Sequence, residues 1–223
     1  VANDHANDHT ARWRTDSPIS TVPHLEPQDV ICFLNETPAT VCTLPGLRDV
    51  ASKQLGLVAN ILRKELNEQE IGEVCTVLLN LPVLQVEICL CGRWPNNEPN
   101  CQIPVRTTPI PVFADEDYTL VINLHRLNRT KEIRVHSPKF PKPKDEGWFL
   151  TLGTIEDKQL LALKRAACGK HQLVFRSSSF PGLHNLTLYI ISDAYLGLDQ
   201  QYDIYLDVQL STEMDLSKQK NSK

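Results

Sequence analysis

Seven basic side chains crowd into residues 125–144: Arg126, Arg129, Lys131, Arg134, Lys139, Lys142 and Lys144, against one acid, Glu132. The chain as a whole is acidic, with 23 Lys and Arg against 27 Asp and Glu and a net charge of −4. The cluster is therefore a local reversal of sign. A cationic loop can track phosphates, each Lys or Arg displacing counterions from a nucleic-acid backbone. It can equally meet an acidic protein surface, or simply keep a loop solvated. Phe140 is the one aromatic among these residues, which argues against a platform for stacked bases. The net charge offers no general attraction to nucleic acid or anionic membrane, so such binding falls to this loop.

Other chemistry is weaker. A triphosphate needs a GxxxxGK[ST] loop, whose backbone amides and lysine neutralise the phosphates. Gly169-Lys170-His171 lacks both the first glycine and the hydroxyl. Asp145-Glu146-Gly147-Trp148 and Asp115-Glu116-Asp117-Tyr118 echo an acidic ATPase box, but neither ends in His. Ser192-Asp193 and His184 come without a Gly-x-Ser-x-Gly elbow. Asp193, Asp199 and Asp203 do not have the spacing of a loop that wraps calcium; acidic turn residues are commoner as caps. His5 and His9, four apart, lie in a repeated Ala-Asn-Asp-His that reads as a polar leader.

The seven cysteines (Cys32, Cys42, Cys75, Cys89, Cys91, Cys101 and Cys168) are odd in number and irregularly spaced. They read as reduced, buried thiols of an intracellular protein, not a disulfide framework. Cys89 and Cys91 form the one close pair and are expected on opposite faces of a strand; no metal site is assigned. The sequons at Asn35, Asn128 and Asn185 matter only in a secreted protein, so no glycan is expected. Trp148 with Phe149, and Tyr189, Tyr195, Tyr202 and Tyr205, read as core and edge aromatics.

The elements that position these residues follow from periodicity. Leu186, Leu188 and Ile190, then Tyr202, Ile204, Leu206 and Val208, alternate with period two, the signal of paired half-buried strands. Further strands are read at Leu84–Leu90, Tyr118–Leu124, Trp148–Leu152, Leu160–Leu163 and His171–Phe175, seven in all. A proline-rich link (Pro95, Pro99, Pro104, Pro109 and Pro111) separates the first two. Seven short strands with turns between them argue an antiparallel immunoglobulin-like or fibronectin type III-like β-sandwich over 83–211. Before it, residues 23–82 read as helical. Val30 to Leu34 suit a short helix, and Leu47 to Leu66 keep helical spacing with a possible break at Gly56. Asn67 and Glu70 open another helix with a capping box, and Pro82 stops it. The fold class is α+β in two parts, with a flexible leader at 1–22 and a flexible tail at 212–223. No apolar run reaches the ~20 residues of a membrane span and no signal peptide is read, so no membrane insertion is expected.

Three stretches carry a resemblance: FPKPKDEGWFLTLG at 140–153, LLALKR at 160–165 and YIISDAYLGLDQQYDIYLDV at 189–208. They resemble the C-terminal unit, a helix-loop-helix plus sandwich, of the Ski-two-like DExH helicases. The same unit occurs in the J-protein of the endoplasmic-reticulum translocon. In this frame Ser192, Asp193, Tyr195, Gly197, Asp199 and Gln200 are the signature turn. The resemblance implies a non-catalytic accessory module. Its parent would be a 3′–5′ helicase of a transcription-coactivator, repair or splicing complex, with ATP and Mg in the parent and no cofactor in this chain. It implies contacts with the helicase cassette of the same parent, with subunits of its complex, and with single-stranded RNA or DNA through the basic loop. The expected place is intracellular: the nucleus, with the cytosol as a second compartment. The alternative is a scaffold domain of the translocon J-protein; the basic tail Ser217 to Lys223 argues against that protein's acidic end.

Overall fold

The computed structural model of the chain describes residues 17–26, 43–95, 101–103, 108–128, 133–136 and 142–211. These fall into two compact units. One draws on Val1–Val83, Leu127–Glu146 and Ser192–Asp199; the other on Leu84–Arg126, Gly147–Ile191 and Gln200–Lys223. The basic segment and the signature turn therefore both gather with the helices.

Within residues 17–22, which the sequence assigns to a flexible leader, the helical unit has regular structure. Pro18–Thr21 forms a 3-10 helix with Pro at its start, because Ile19, Val22 and Leu25 bury themselves in the core. Helix α1 (Leu44–Lys53) begins at Thr43, whose side chain accepts from the Gly46 amide; α2 (Leu55–Leu62) follows at once. The break falls at Gln54, non-helical at φ −140° and ψ 57°; Gly56, the suspected breaker, is inside α2. In α3 (Glu68–Asn80), the Asn67 side chain accepts from the Glu70 amide and Glu70 answers on the Asn67 amide, both at 3.0 Å. Ile71, Val74, Cys75 and Leu78 then bury one face, the three-and-four spacing of an amphipathic helix. The short helix read at Val30 to Leu34 lies outside the described residues.

The second unit is a sandwich of two sheets. Strands β1 (Leu84–Cys91), β2 (Cys101–Ile103), β4 (Asp117–Arg126) and β7 (Gly169–Arg176) lie in the order β2-β1-β4-β7. Strands β3 (Ile110–Phe113), β5 (Trp148–Thr154), β6 (Gln159–Ala166), β8 (Gly182–Ser192) and β9 (Gln200–Gln209) lie in the order β3-β9-β8-β5-β6. Ile88, Leu90, Leu120, Ile122 and Leu124 on one sheet and Leu150, Leu152, Leu188, Ile190 and Ile204 on the other are buried in an apolar core, with Trp148 fully buried. Successive strands change sheet from β4 to β5 and again from β6 to β7, the crossing pattern of immunoglobulin-like sandwiches.

The proline-rich link is not plain loop. It holds β2 and β3, and β3 runs parallel to β9, Ile110 opposite Leu206, in a sandwich otherwise expected to be antiparallel. Pro111 obscures this strand in the sequence, yet β3 ends its sheet, where a missing N–H is tolerated. Tyr118 anchors the start of β4: its hydroxyl donates to the Arg93 carbonyl at 2.6 Å and accepts from the Phe113 amide at 2.8 Å. Its ring lies so close over Gly92 that no side chain fits there.

Candidate interaction surface

The structure spreads the basic cluster among different roles. Arg126 closes β4 opposite Leu84. Arg134 bridges Asp145, with the Val135 amide donating to the Lys144 carbonyl and the Glu146 amide to that of Ile133. This short ladder presents Arg134 and Lys142 to solvent. Arg129, Lys131 and Lys139 lie outside the described residues. Lys144 points inward: its ammonium donates to the Asp193 carbonyl and sits 3.7 Å from the Asp193 carboxylate. The two side chains are 15% and 6% exposed. A charge this secluded needs such a partner, since burying it alone is costly. Lys144 is thus a structural tie, not a surface cation.

That tie joins the basic segment to the signature turn, which is organised from within. The Ser192 hydroxyl accepts from the amides of Ala194 and Tyr195 at 3.3 and 3.0 Å. The Ser192 amide donates to the Asp199 carboxylate at 2.9 Å. Partial burial pushes the Asp199 carboxyl up from its ordinary value, opposed by that amide. Gly197 takes a left-handed φ of 79° and passes Pro18 so closely that a Cβ would come within 2.9 Å of it; both requirements select glycine. Ala194 and Leu198 are buried. At the end of the signature, the Gln200 side-chain amide donates to the Leu84 carbonyl and its oxygen accepts from the Tyr202 hydroxyl. The signature is spent on holding the turn in shape.

The remaining chemical candidates separate. Asp193 goes to Lys144, Asp199 to Ser192, and Asp203 to the Thr187 hydroxyl and the Gln201 amide. No group of three metal-ligating side chains forms among the described residues. His184 binds the Phe180 carbonyl near the start of β8, about 26 Å of strand from Ser192. Gly169-Lys170-His171 is strand, in β7. The Cys89 and Cys91 expectation is corrected: residues two apart on a strand share a face. With Ile88 and Leu90 buried beneath, both thiols point outward and lie 4.0 Å apart.

Sequence reasoning missed Asn128, reading it only as a sequon. Its side-chain oxygen accepts from the Val83 amide at 2.7 Å, while its nitrogen donates to the carbonyls of Leu81 and Leu79 at 2.8 and 3.3 Å. Pro82 ends α3 without an N–H to offer, so the last carbonyls need an outside donor. That unbalanced helix end is the signal that points to a distant capping residue.

Sequence comparisons agree with this picture. Residues 12–205 match the Sec63 Brl domain. Activating signal cointegrator 1 complex subunit 3 of Homo sapiens is 33% identical over 241 residues, covering 95% of this chain and 11% of the relative. The U5 small nuclear ribonucleoprotein 200 kDa helicase of Drosophila melanogaster is 30% identical over 203 residues, 89% of this chain and 8% of the relative. The DExH-box ATP-dependent RNA helicase DExH12 of Arabidopsis thaliana is 37% identical over 124 residues, 53% of this chain and 6% of the relative. The chain spans a tenth or so of such relatives, at most 11%. The helices, the signature turn and the sandwich as far as the middle of β9 fall inside the matched stretch, and the chain belongs to the Sec63 Brl domain family.

Proposed function

We propose that this chain is a non-catalytic accessory module of a large ATP-dependent DExH helicase, docked on the helicase cassette of its own parent and on subunits of the parent's complex. ATP and Mg act in the cassette, not here, and the complex works in the nucleus. Among the described residues no helix is long and apolar enough to cross a membrane.

The observation that carries this reading is an apolar face on the outside of the five-stranded sheet. Phe149, Leu160 and Leu163 are 38%, 58% and 57% exposed. Three residues of spacing would put Leu160 and Leu163 on opposite sides of a regular strand. A bulge opposite Leu152 and Gly153 rephases β6, so Leu163 stands across from Thr151 and Leu160 across from Gly153. Both leucines then share the outer face with Phe149. Clustered outward apolar groups of this kind mark contact sites. The relatives are far longer than this chain, which makes the rest of the same parent the natural occupant.

The test is co-purification of the module with its parent's cassette, beside a Leu160→Ser/Leu163→Ser variant. Both leucines are exposed, so stability should stay within about 0.5 kcal/mol while association is lost. A variant that still co-purifies at wild-type level overturns the reading.

The exposed Arg134 and Lys142 favour a second contact, with single-stranded RNA or DNA. Fluorescence anisotropy across a salt series should then show binding that weakens with salt. Replacing Arg126, Arg129, Lys131 and Arg134 by Ser should flatten the log–log slope by up to about 3, at ~0.7 per lost phosphate contact. Absence of binding at low salt makes the loop a protein-facing or solvated surface. The translocon scaffold is the remaining alternative; the helicase names of the Drosophila and Arabidopsis relatives weigh against it.

A further inference from the structure

We propose that Cys89 and Cys91 form a two-thiolate clasp for a soft divalent metal ion on the outward face of β1. The thiols sit 4.0 Å apart, both half-exposed. A tetrahedral ion with metal–sulfur bonds near 2.3 Å holds two sulfurs about 3.8 Å apart. The pair is therefore set within about 0.2 Å of the bite such an ion needs.

Oxidation to a disulfide fits the same geometry poorly. The sulfurs would have to close to about 2.05 Å. Their Cα atoms, two residues apart on a strand, are separated by about 6.6 Å, at the far end of the range a disulfide spans. β1 cannot easily shorten, because it is laddered to β2 on one side and β4 on the other. Ile88 and Leu90 also pin it from below. Chelation leaves the strand where it is.

The surroundings define an open site. Cys91 stands opposite Thr119 and Cys89 opposite Val121 on β4, neither a metal ligand by preference. Glu87 shares the face but accepts hydrogen bonds from Asn123 and His125, each at 3.2 Å. Among the described residues the chain thus supplies two thiolates, and the other two positions of the tetrahedron go to water or to a ligand from another molecule. The step is M²⁺ + 2 –SH → M(–S)₂ + 2 H⁺, with no change of oxidation state. Because two protons leave, affinity climbs by up to about a hundredfold per pH unit below the thiol range.

Cadmium is the probe, titrated into the full chain and followed by thiolate-to-metal charge-transfer absorption. One equivalent should bind, and Cys89→Ser or Cys91→Ser should each weaken it by on the order of a hundredfold, the loss of a second tethered ligand. Cys168→Ser, which removes an exposed thiol elsewhere, should leave it unchanged. Thiol alkylation of the unaltered protein, mapped by mass spectrometry, needs no variant: saturating cadmium should protect Cys89 and Cys91 together. Undiminished binding in either variant, or alkylation of both thiols in the presence of cadmium, overturns the proposal.

Discussion

Asn128 satisfies three backbone groups with one amide, at the point where α3 gives out and the chain turns toward β1. Asn128→Ala would orphan the Val83 amide and two carbonyls. The expected cost is about 1–3 kcal/mol, the penalty for stranding partly buried polar groups, read as a lower midpoint in urea unfolding. A glycan on the same nitrogen would remove one of its two donors, so the structural role and the sequon exclude each other. Side-chain roles of this kind were the least legible in the sequence. The basic run from Arg126 to Lys144 was plain as composition, but nothing local distinguishes Lys144, which is tied to Asp193, from exposed Lys142 two residues earlier. That difference comes from a partner 49 residues away. The cysteine pair failed for a simpler reason, a misjudged strand parity.

At the scale of elements, legibility tracked how much of the determining chemistry is local. The start of α3 could be read because Asn67, Glu70 and Pro82 act within a few residues of the helix they delimit. Asn67→Ala should therefore cost about 1 kcal/mol, with a thermal midpoint lowered by a few degrees; an unchanged midpoint would mean that the helix start is fixed by packing alone. The break between α1 and α2 was foreseen but misplaced, since Gly56 sits in α2 and Gln54 takes the non-helical conformation. β2 and β3 were missed because prolines mask them and because β3 owes its existence to β9. The rephasing of β6 was equally hidden: a bulge is set by the partner strand, and only the ladder opposite Gly153 reveals that Leu160 and Leu163 share a face.

For the whole molecule, α+β class and an immunoglobulin-like sandwich followed from periodicity, and the family from the signature text near its end. What contiguous reading does not convey is that the helices gather with Leu127–Glu146 and Ser192–Asp199, stretches that interrupt the sandwich in sequence. The acidic total with a basic inset has the same character, a global sum that conceals where each charge is used. The parallel seam between β3 and β9 bears on how such a chain comes into being. β3 meets its partner only after roughly a hundred further residues, a separation that raises contact order and slows folding. On the ribosome, β3 must wait for most of the sandwich to be synthesised, its apolar Ile110 and Val112 without their native cover. Chaperone dependence during translation, and sensitivity to early termination, are the expected cost of pairing β3 with a strand made so much later.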